Sequence, residues 1–249
     1  MIDHQNTIVV IPARMGASRL PGKPLADIHG IPMIVHVWRR AMEAKLGHVL
    51  VAAGESEIAA AIRDAGGDAI ITDSNLPSGS DRVAAALALR DPGQQFTHIV
   101  NLQGDLPTVD PLAVRRCLAG LTNPSVDIST IAAAIIDQQD VDNPNIVKAI
   151  TPLDNNREVA FARDFLRHVT PDLGPAFWHH IGIYAYRRES LSRFVSLPPS
   201  RREKERSLEQ MRALDNDMKI AVVRVDGVPL GVDAPADLEK ARRLLKDQS

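Results

Sequence analysis

Thr7-Ile8-Val9-Val10-Ile11 runs directly into Pro12-Ala13-Arg14-Met15-Gly16-Ala17-Ser18-Arg19-Leu20-Pro21-Gly22-Lys23-Pro24-Leu25. A β-branched run closed by a Pro- and Gly-rich stretch reads as a short buried strand with a loop at its carboxyl end. In open α/β sheets such loops are where ligands are held. Three cations, Arg14, Arg19 and Lys23, stand in the loop without one acid, beside glycines that let backbone N–H groups approach an oxyanion. Together they describe a cradle for a triphosphate. The alternative, a surface loop with scattered charges, is disfavoured by the stiffening prolines and the single sign of charge. Spacing excludes a Walker A loop, because five residues separate Gly16 from Gly22 and Pro24 follows Lys23. No G-x-G-x-x-G fingerprint follows the strand either, so a nicotinamide enzyme of the usual kind is not expected.

Outward from this stretch, β-branched runs alternate with patterns at helical spacing, the signature of strand-helix-strand units and a parallel sheet. Helices are predicted over 33–45 and 56–65 and strands over 48–53 and 68–72, with Gly66-Gly67 ending the second helix. Ser80 or Asp81 can cap a helix running to Arg90, His98 to Gln103 reads as a strand, and Asp110-Pro111 opens a helix. From Asp127 the rhythm changes. Residues 128–136, 146–151, 159–163 and 181–187 are strand-like without full helices between them, an embellishment of the sheet rather than a second Rossmann unit. A charged helix is expected from Arg201 to about Leu214, then a strand over 219–226 and a last helix from Pro235.

Composition narrows the function classes. Hydrophobic residues make up 45% and charged residues 24%, the balance of a folded globular chain. With 29 basic against 31 acidic residues the formal charge is -2, so no global positive field draws the chain to nucleic acid. The longest apolar run, Val83 to Leu89, is far short of the roughly 20 residues of a bilayer span. Met1-Ile2-Asp3-His4-Gln5-Asn6 lacks the basic start and apolar stretch of a signal peptide, and Cys117 has no second cysteine to pair with, so a cytoplasmic location is expected. Cys117 itself reads as core filler.

Two aspartates complete the chemistry. Asp105, in Asn101-Leu102-Gln103-Gly104-Asp105-Leu106-Pro107, ends a strand at the sheet edge that carries the cationic loop. A carboxylate opposite phosphates held by Arg14 and Lys23 suits Mg²⁺, which takes one or two protein carboxylates plus phosphate oxygens. Asp233, in Gly231-Val232-Asp233-Ala234-Pro235, precedes a helix and can reach the same cation, although an acid near a helix N-terminus also serves the dipole alone. Asp215-Asn216-Asp217 follows a helix rather than a buried strand and reads as a turn. His179 and His180 are adjacent on a strand and point to opposite faces, which argues against shared metal binding.

These segments, in this order, resemble the 3-deoxy-manno-octulosonate (Kdo) cytidylyltransferases, the CMP-Kdo synthetase family. The likeness rests on Ile11-Pro12-Ala13-Arg14, Arg19-Leu20-Pro21-Gly22-Lys23-Pro24-Leu25, Ser78-Gly79-Ser80-Asp81-Arg82, Gln103-Gly104-Asp105, His180-Ile181-Gly182-Ile183-Tyr184, Leu208-Glu209-Gln210-Met211-Arg212 and Gly231-Val232-Asp233. It implies a Rossmann-like nucleotide-diphospho-sugar transferase fold, α/β, with a mostly parallel central sheet, helices on both faces and a strand-rich embellishment. One domain over 1–249 would carry an inserted substrate and dimerisation subregion at about 125–200. The resemblance further implies a cytoplasmic, Mg²⁺-dependent homodimer that transfers CMP from CTP to Kdo for lipopolysaccharide biosynthesis, with neither nucleic acid nor membrane as partner. By matching position Ala13, Arg14 and Lys23 would hold the CTP phosphates, Ser80, Asp81 and Arg82 the cytosine, and Asp105 and Asp233 the metal. Arg14, Lys23, Asp105 and Asp233 would carry catalysis. Gln103, Arg163, His180, Tyr184, Glu209 and Gln210 would grip the sugar acid. The chain departs from the family pattern at Ala160 and Ala162, at Ala53-Gly54 and at Leu106, where an acid is frequent. An 8-amino-Kdo or other sugar-acid transferase, and a non-catalytic nucleotide-binding regulator, are the competing readings.

Overall fold

The opening run forms β1 (Thr7–Ala13), buried at every position, as a parallel strand covered on both faces must be. The computed structural model describes residues 4–17, 19–169 and 177–246; Ser18 of the cationic loop and Met1-Ile2-Asp3 lie outside the described residues. The chain divides into two units, one over Asp3–Arg115 and Pro229–Ser249, the other over Arg116–Val228.

In the first unit β1 leads through the loop into a small hairpin, β2 (Asp27–Ile28) and β3 (Ile31–Pro32), whose turn is made by His29 (φ 54) and Gly30 (φ 80). Both central residues in the left-handed region give the backbone twist that a two-residue hairpin needs. The helix α1 (Met33–Glu43), β4 (His48–Ala53), α2 (Ser56–Asp64) and β5 (Asp68–Ile71) follow within a residue or two of the expected bounds. Next come α3 (Gly79–Arg90), β6 (His98–Asn101) and α4 (Pro111–Arg116). The strand order is β5-β4-β1-β6, and all three pairings are parallel. The cap of α3 differs from expectation: Ser78, extended at φ -140 and ψ 170, accepts from the Asp81 amide at 3.2 Å, while Ser80 and Asp81 already lie inside the helix. The strand at 98 stops two residues early, but Leu102 N still donates to Val10 O at 3.1 Å, and this continues the line toward Asp105.

The second unit is built on β7 (Ile128–Ala133), buried throughout. After α5 (Gln138–Asp142) come β8 (Lys148–Ile150), β9 (Val159–Phe161), β10 (Asp164–Leu166) and β11 (Phe177–Arg187). Helices α6 (Arg188–Ser196), α7 (Arg201–Arg206) and α8 (Met211–Leu214) precede β12 (Ile220–Val225). Parallel pairing joins β12 to β7, and antiparallel pairings join β7 to β11, β11 to β8, β8 to β10 and β12 to β9. The expected single helix over 201–214 is two short ones, because Ser207 turns left-handed (φ 52) and ends α7. Arg212 reaches back to Glu203 from Nε and Nη2, at 2.9 and 2.6 Å, across that break. Cys117 is fully buried, and burial pushes its thiol well above the ordinary cysteine range, as suits core filler. Finally α9 (Pro235–Leu245) returns the chain to the first unit, where its Leu238, Ala241 and Leu245 pack with Ile28, Met33 and Val232.

Candidate functional site

The loop after β1 and the segment after β6 are brought together by a tight backbone approach. A side chain at Gly104 would stand 2.9 Å from the Pro12 carbonyl, so only glycine lets Gln103-Gly104-Asp105 lie against Pro12-Ala13. A cavity of about 270 Å³ results, lined among others by Ala13, Arg14, Lys23, Arg82, Gln103 and Asp105. Gly54 plays a related part: a Cβ there would come 3.1 Å from Arg14 Cβ and 3.2 Å from Arg82 Nη1, so the departure Ala53-Gly54 makes room for two cationic side chains. Arg82 is buried and donates to Thr72 Oγ1, Asp73 O and Ser74 O at 2.7, 3.0 and 3.2 Å. Desolvation first, and Arg14 nearby as a further cause, lower its pKa from the usual arginine value. Of the predicted triplet, Arg82 lines the cavity, Ser80 is wholly buried, and the Asp81 carboxylate accepts from Ser78 Oγ at 2.6 Å.

Asp105 and Asp233, far apart in sequence, meet at one ammonium. Lys23 Nζ donates to Asp105 Oδ2 at 2.8 Å and to Asp233 Oδ1 at 3.1 Å, and Arg19 stands 3.3 Å from the other Asp233 oxygen. The backbone explains the convergence: Val232 N donates to Asp105 O at 2.9 Å, and Leu230 N donates to Thr108 Oγ1 at 3.1 Å, lashing the segment before α9 to the one after β6. Burial alone would lower the Lys23 pKa, but the Asp105 carboxylate and then Asp233 outweigh it and hold the ammonium above its ordinary value. Among the described residues no three or more His, Cys, Asp or Glu side chains gather as a metal cage. Two hard oxygen donors beside the cationic loop nevertheless fit Mg²⁺, which takes one or two protein carboxylates and fills its remaining positions with water or substrate oxygens. Leu106 is buried, with its Cδ2 3.8 Å from where a Gly231 side chain would begin, so it packs the joint where an acid is frequent.

In the second unit β11 carries His180 and Tyr184, their rings 5.7 Å apart. His180 is buried, its Nε2 lies 3.0 Å from Thr130 Oγ1, and desolvation with His179 nearby lowers its pKa to about 3, so the ring is neutral at physiological pH. Burial, then the Glu209 carboxylate, raises the Tyr184 phenol far above its usual value. Gln210 is buried, and its Nε2 has no hydrogen-bond partner among the described residues. Arg163 is exposed at the bend between β9 and β10, where its amide donates to Ile150 O at 2.7 Å.

Some participants escaped sequence reasoning. Leu76, Pro77, Ser78 and Gly79 line the first cavity, one turn upstream of the predicted triplet; the Pro-Ser-Gly-Ser cluster was the available signal. Glu55 holds the cationic loop, its Oε2 accepting from Met15 N at 2.9 Å; an isolated acid 40 residues away carries no local signal.

The profile of the cytidylyltransferase family matches residues 8–220. A 3-deoxy-manno-octulosonate cytidylyltransferase of Parvibaculum lavamentivorans is 56% identical over 242 residues, covering 97% of this chain and 93% of the relative. Another, of Paramagnetospirillum magneticum, is 54% identical over 239 residues, covering 96% and 97%. A solved CMP:2-keto-3-deoxy-manno-octonic acid synthetase complexed with CTP superimposes with a TM-score of 0.86 at 36% identity, over 98% of this chain and 99% of that one. A UDP-glucose pyrophosphorylase, at 12% identity and a TM-score of 0.69, shares the fold.

Proposed function

The chain belongs to the cytidylyltransferase family, among its 3-deoxy-manno-octulosonate members, and from that premise we propose how its residues divide the work. The enzyme transfers CMP from CTP to Kdo, releasing pyrophosphate. The observation that carries the assignment of roles is the single ammonium of Lys23 bonded to both Asp105 and Asp233, on the rim of a cavity that also presents Arg14.

Repulsion between an anionic sugar acid and a triphosphate is the first obstacle. Arg14 and Lys23 offset it by taking the phosphate oxygens, with the Ala13 backbone beside them. When the triphosphate arrives, Lys23 exchanges carboxylate partners for phosphate, and the two aspartates are left facing the α-phosphate as hard oxygen donors. Asp105 and Asp233 would hold Mg²⁺, which when bound supplies charge neutralisation at the phosphates and acidifies a nearby hydroxyl. Arg82 faces the cytosine, while Ser80 and Asp81 fix the start of α3 that presents it. On the acid side Arg163 takes the Kdo carboxylate bidentately, and Gln103, His180, Tyr184, Glu209 and Gln210 bond its hydroxyls. The anomeric oxygen then forms its bond to the α-phosphorus as the bond to the β-phosphate oxygen breaks. The hydroxyl proton passes to solvent water, and pyrophosphate departs opposite, keeping the electron pair of the broken P–O bond. Positioning and charge stabilisation account for the acceleration, without a covalent enzyme intermediate.

No described helix is long and apolar enough to cross a membrane. We extend the proposal to a cytoplasmic homodimer, in which the strand-rich segment after Asp127 forms the contact. The deciding assay is pyrophosphate release from CTP, with Mg²⁺ present and Kdo added or withheld. Release only with Kdo is expected. Release without it, or none with both, overturns the reading, and faster turnover with 8-amino-Kdo reassigns the acceptor.

A further inference from the structure

Away from the cavity at Lys23, a second one of about 260 Å³ opens beside α1, walled by His29, His36, Arg39, Arg40, Glu43 and Leu245 among others. Its polar lining holds two guanidiniums and two imidazoles against one carboxylate. Glu43 is already engaged, accepting from Arg40 Nη1 at 2.8 Å. Arg39 is exposed and has no ion-pair partner among the described residues. Desolvation first, then Arg39 and Arg40 among the nearby groups, press the His36 pKa downward, so its ring favours the neutral form. Two guanidiniums around one opening with a single carboxylate between them leave one positive charge in excess, which an anion offsets.

The frame around this opening is fixed rather than floppy. His29 Nε2 lies 2.7 Å from the Arg242 carbonyl, in the last turn of α9, where an imidazole N–H satisfies an orphan carbonyl. His36 Nε2 lies 3.0 Å from the Ile28 carbonyl. Arg242 in turn donates from Nε and Nη2 to Asp27 O, at 3.0 and 2.7 Å, and pairs with Glu239. The hairpin β2–β3 is therefore clasped to α1 on one side and α9 on the other, and its rings are held in place before any ligand arrives. That clasp joins the segment leaving Lys23 to the helix following Asp233.

We propose that this cavity is a second anion site, which takes a phosphate group between the Arg39 and Arg40 guanidiniums with His29 and His36 flanking it. A guanidinium fork matches two phosphate oxygens at once, and a dianion exceeds the single negative charge that Glu43 supplies. The site is independent of the assignments around Lys23. Orthophosphate and pyrophosphate share the chemistry and are tested separately.

The experiment is a titration of the full chain with each anion in turn, the first cavity being kept saturated with CTP. Imidazole resonances are followed by NMR and assigned through His29→Asn and His36→Gln. Saturable shifts of both rings are expected with at least one of the two anions, and Arg39→Gln should weaken that binding by about tenfold while leaving turnover with CTP and Kdo unchanged. Shifts that never saturate, that chloride reproduces at matched ionic strength, or that Arg39→Gln leaves untouched overturn the site.

Discussion

The loops around Lys23 and the strands around His180 hold their polar groups in opposite ways. Around Lys23 the groups are bound as ion pairs: an ammonium between two carboxylates and a guanidinium behind one of them, in loops that follow parallel strands or precede a helix. Around His180 the two rings are neutral, the buried imidazole held to about 3 and the half-buried Tyr184 phenol raised far above its usual value, with the Glu209 carboxylate beside them. The contrast matches the two tasks. On the roles proposed above, a polyphosphate would be bound by charged groups that can change partners, and sugar hydroxyls by donors and acceptors fixed in a dry wall, where each hydrogen bond gains from low dielectric.

The largest effect tests the ionised side. Asp105→Asn keeps the shape and the backbone bond from Val232, but removes one of the two charges facing Lys23. Turnover should fall on the order of 10²-fold or more with the fold intact by circular dichroism, the scale seen when one charge-stabilising group is lost. Near-normal turnover at saturating Mg²⁺ would show that the pairing is structural and would erase the contrast.

The second test bears on the neutral side. The folded pKa of His180, about 3, lies below the unfolded value near 6.5, so between these pH values the unfolded chain binds a proton that the native one excludes. Stability therefore rises with pH across that window and is lost as pH falls through it, by at most about 1.4 kcal/mol per pH unit from this group. Urea unfolding at pH 7, 5.5 and 4.5 should show a steeper acid loss for the native chain than for His180→Gln. Equal slopes would mean that the ring stays protonatable inside the fold.

The two regions were also unequally legible. The cationic loop, Asp105 and Asp233 stand in short contiguous stretches whose residue types declare their chemistry, and the parallel strands announce themselves through β-branched runs such as 7–11 and 48–53. What decided the rest was tertiary. Strands of two residues, β2 and β3, have no period to detect. Helix α6 begins directly after β11 with no breaker between them. Ser207 gave no warning of a left-handed turn, and the cap of α3 fell to Ser78 rather than to the expected Ser80 or Asp81, because its backbone is the extended one. Burial makes His180 and Gln210, and half-burial Tyr184, functional candidates on physical grounds, and burial is a property of the packed chain. Their sequence signal came through resemblance alone.

The smallest effect separates a binding role from a structural one. Gln210 is 4% exposed, its Nε2 lacks a hydrogen-bond partner among the described residues, and its carbonyl serves the next turn by accepting from Ala213 N at 3.2 Å. A buried amide donor left unsatisfied costs about 1–3 kcal/mol, so a residue chosen for stability alone would be apolar here. Gln210→Met has nearly the same shape and removes the orphan donor without disturbing that backbone bond. The melting temperature should hold or rise, the KM for Kdo should increase about tenfold through loss of one hydrogen bond, and the KM for CTP should stay put. A variant that melts earlier yet binds Kdo normally would make Gln210 a packing residue and leave the dry wall with one reader fewer.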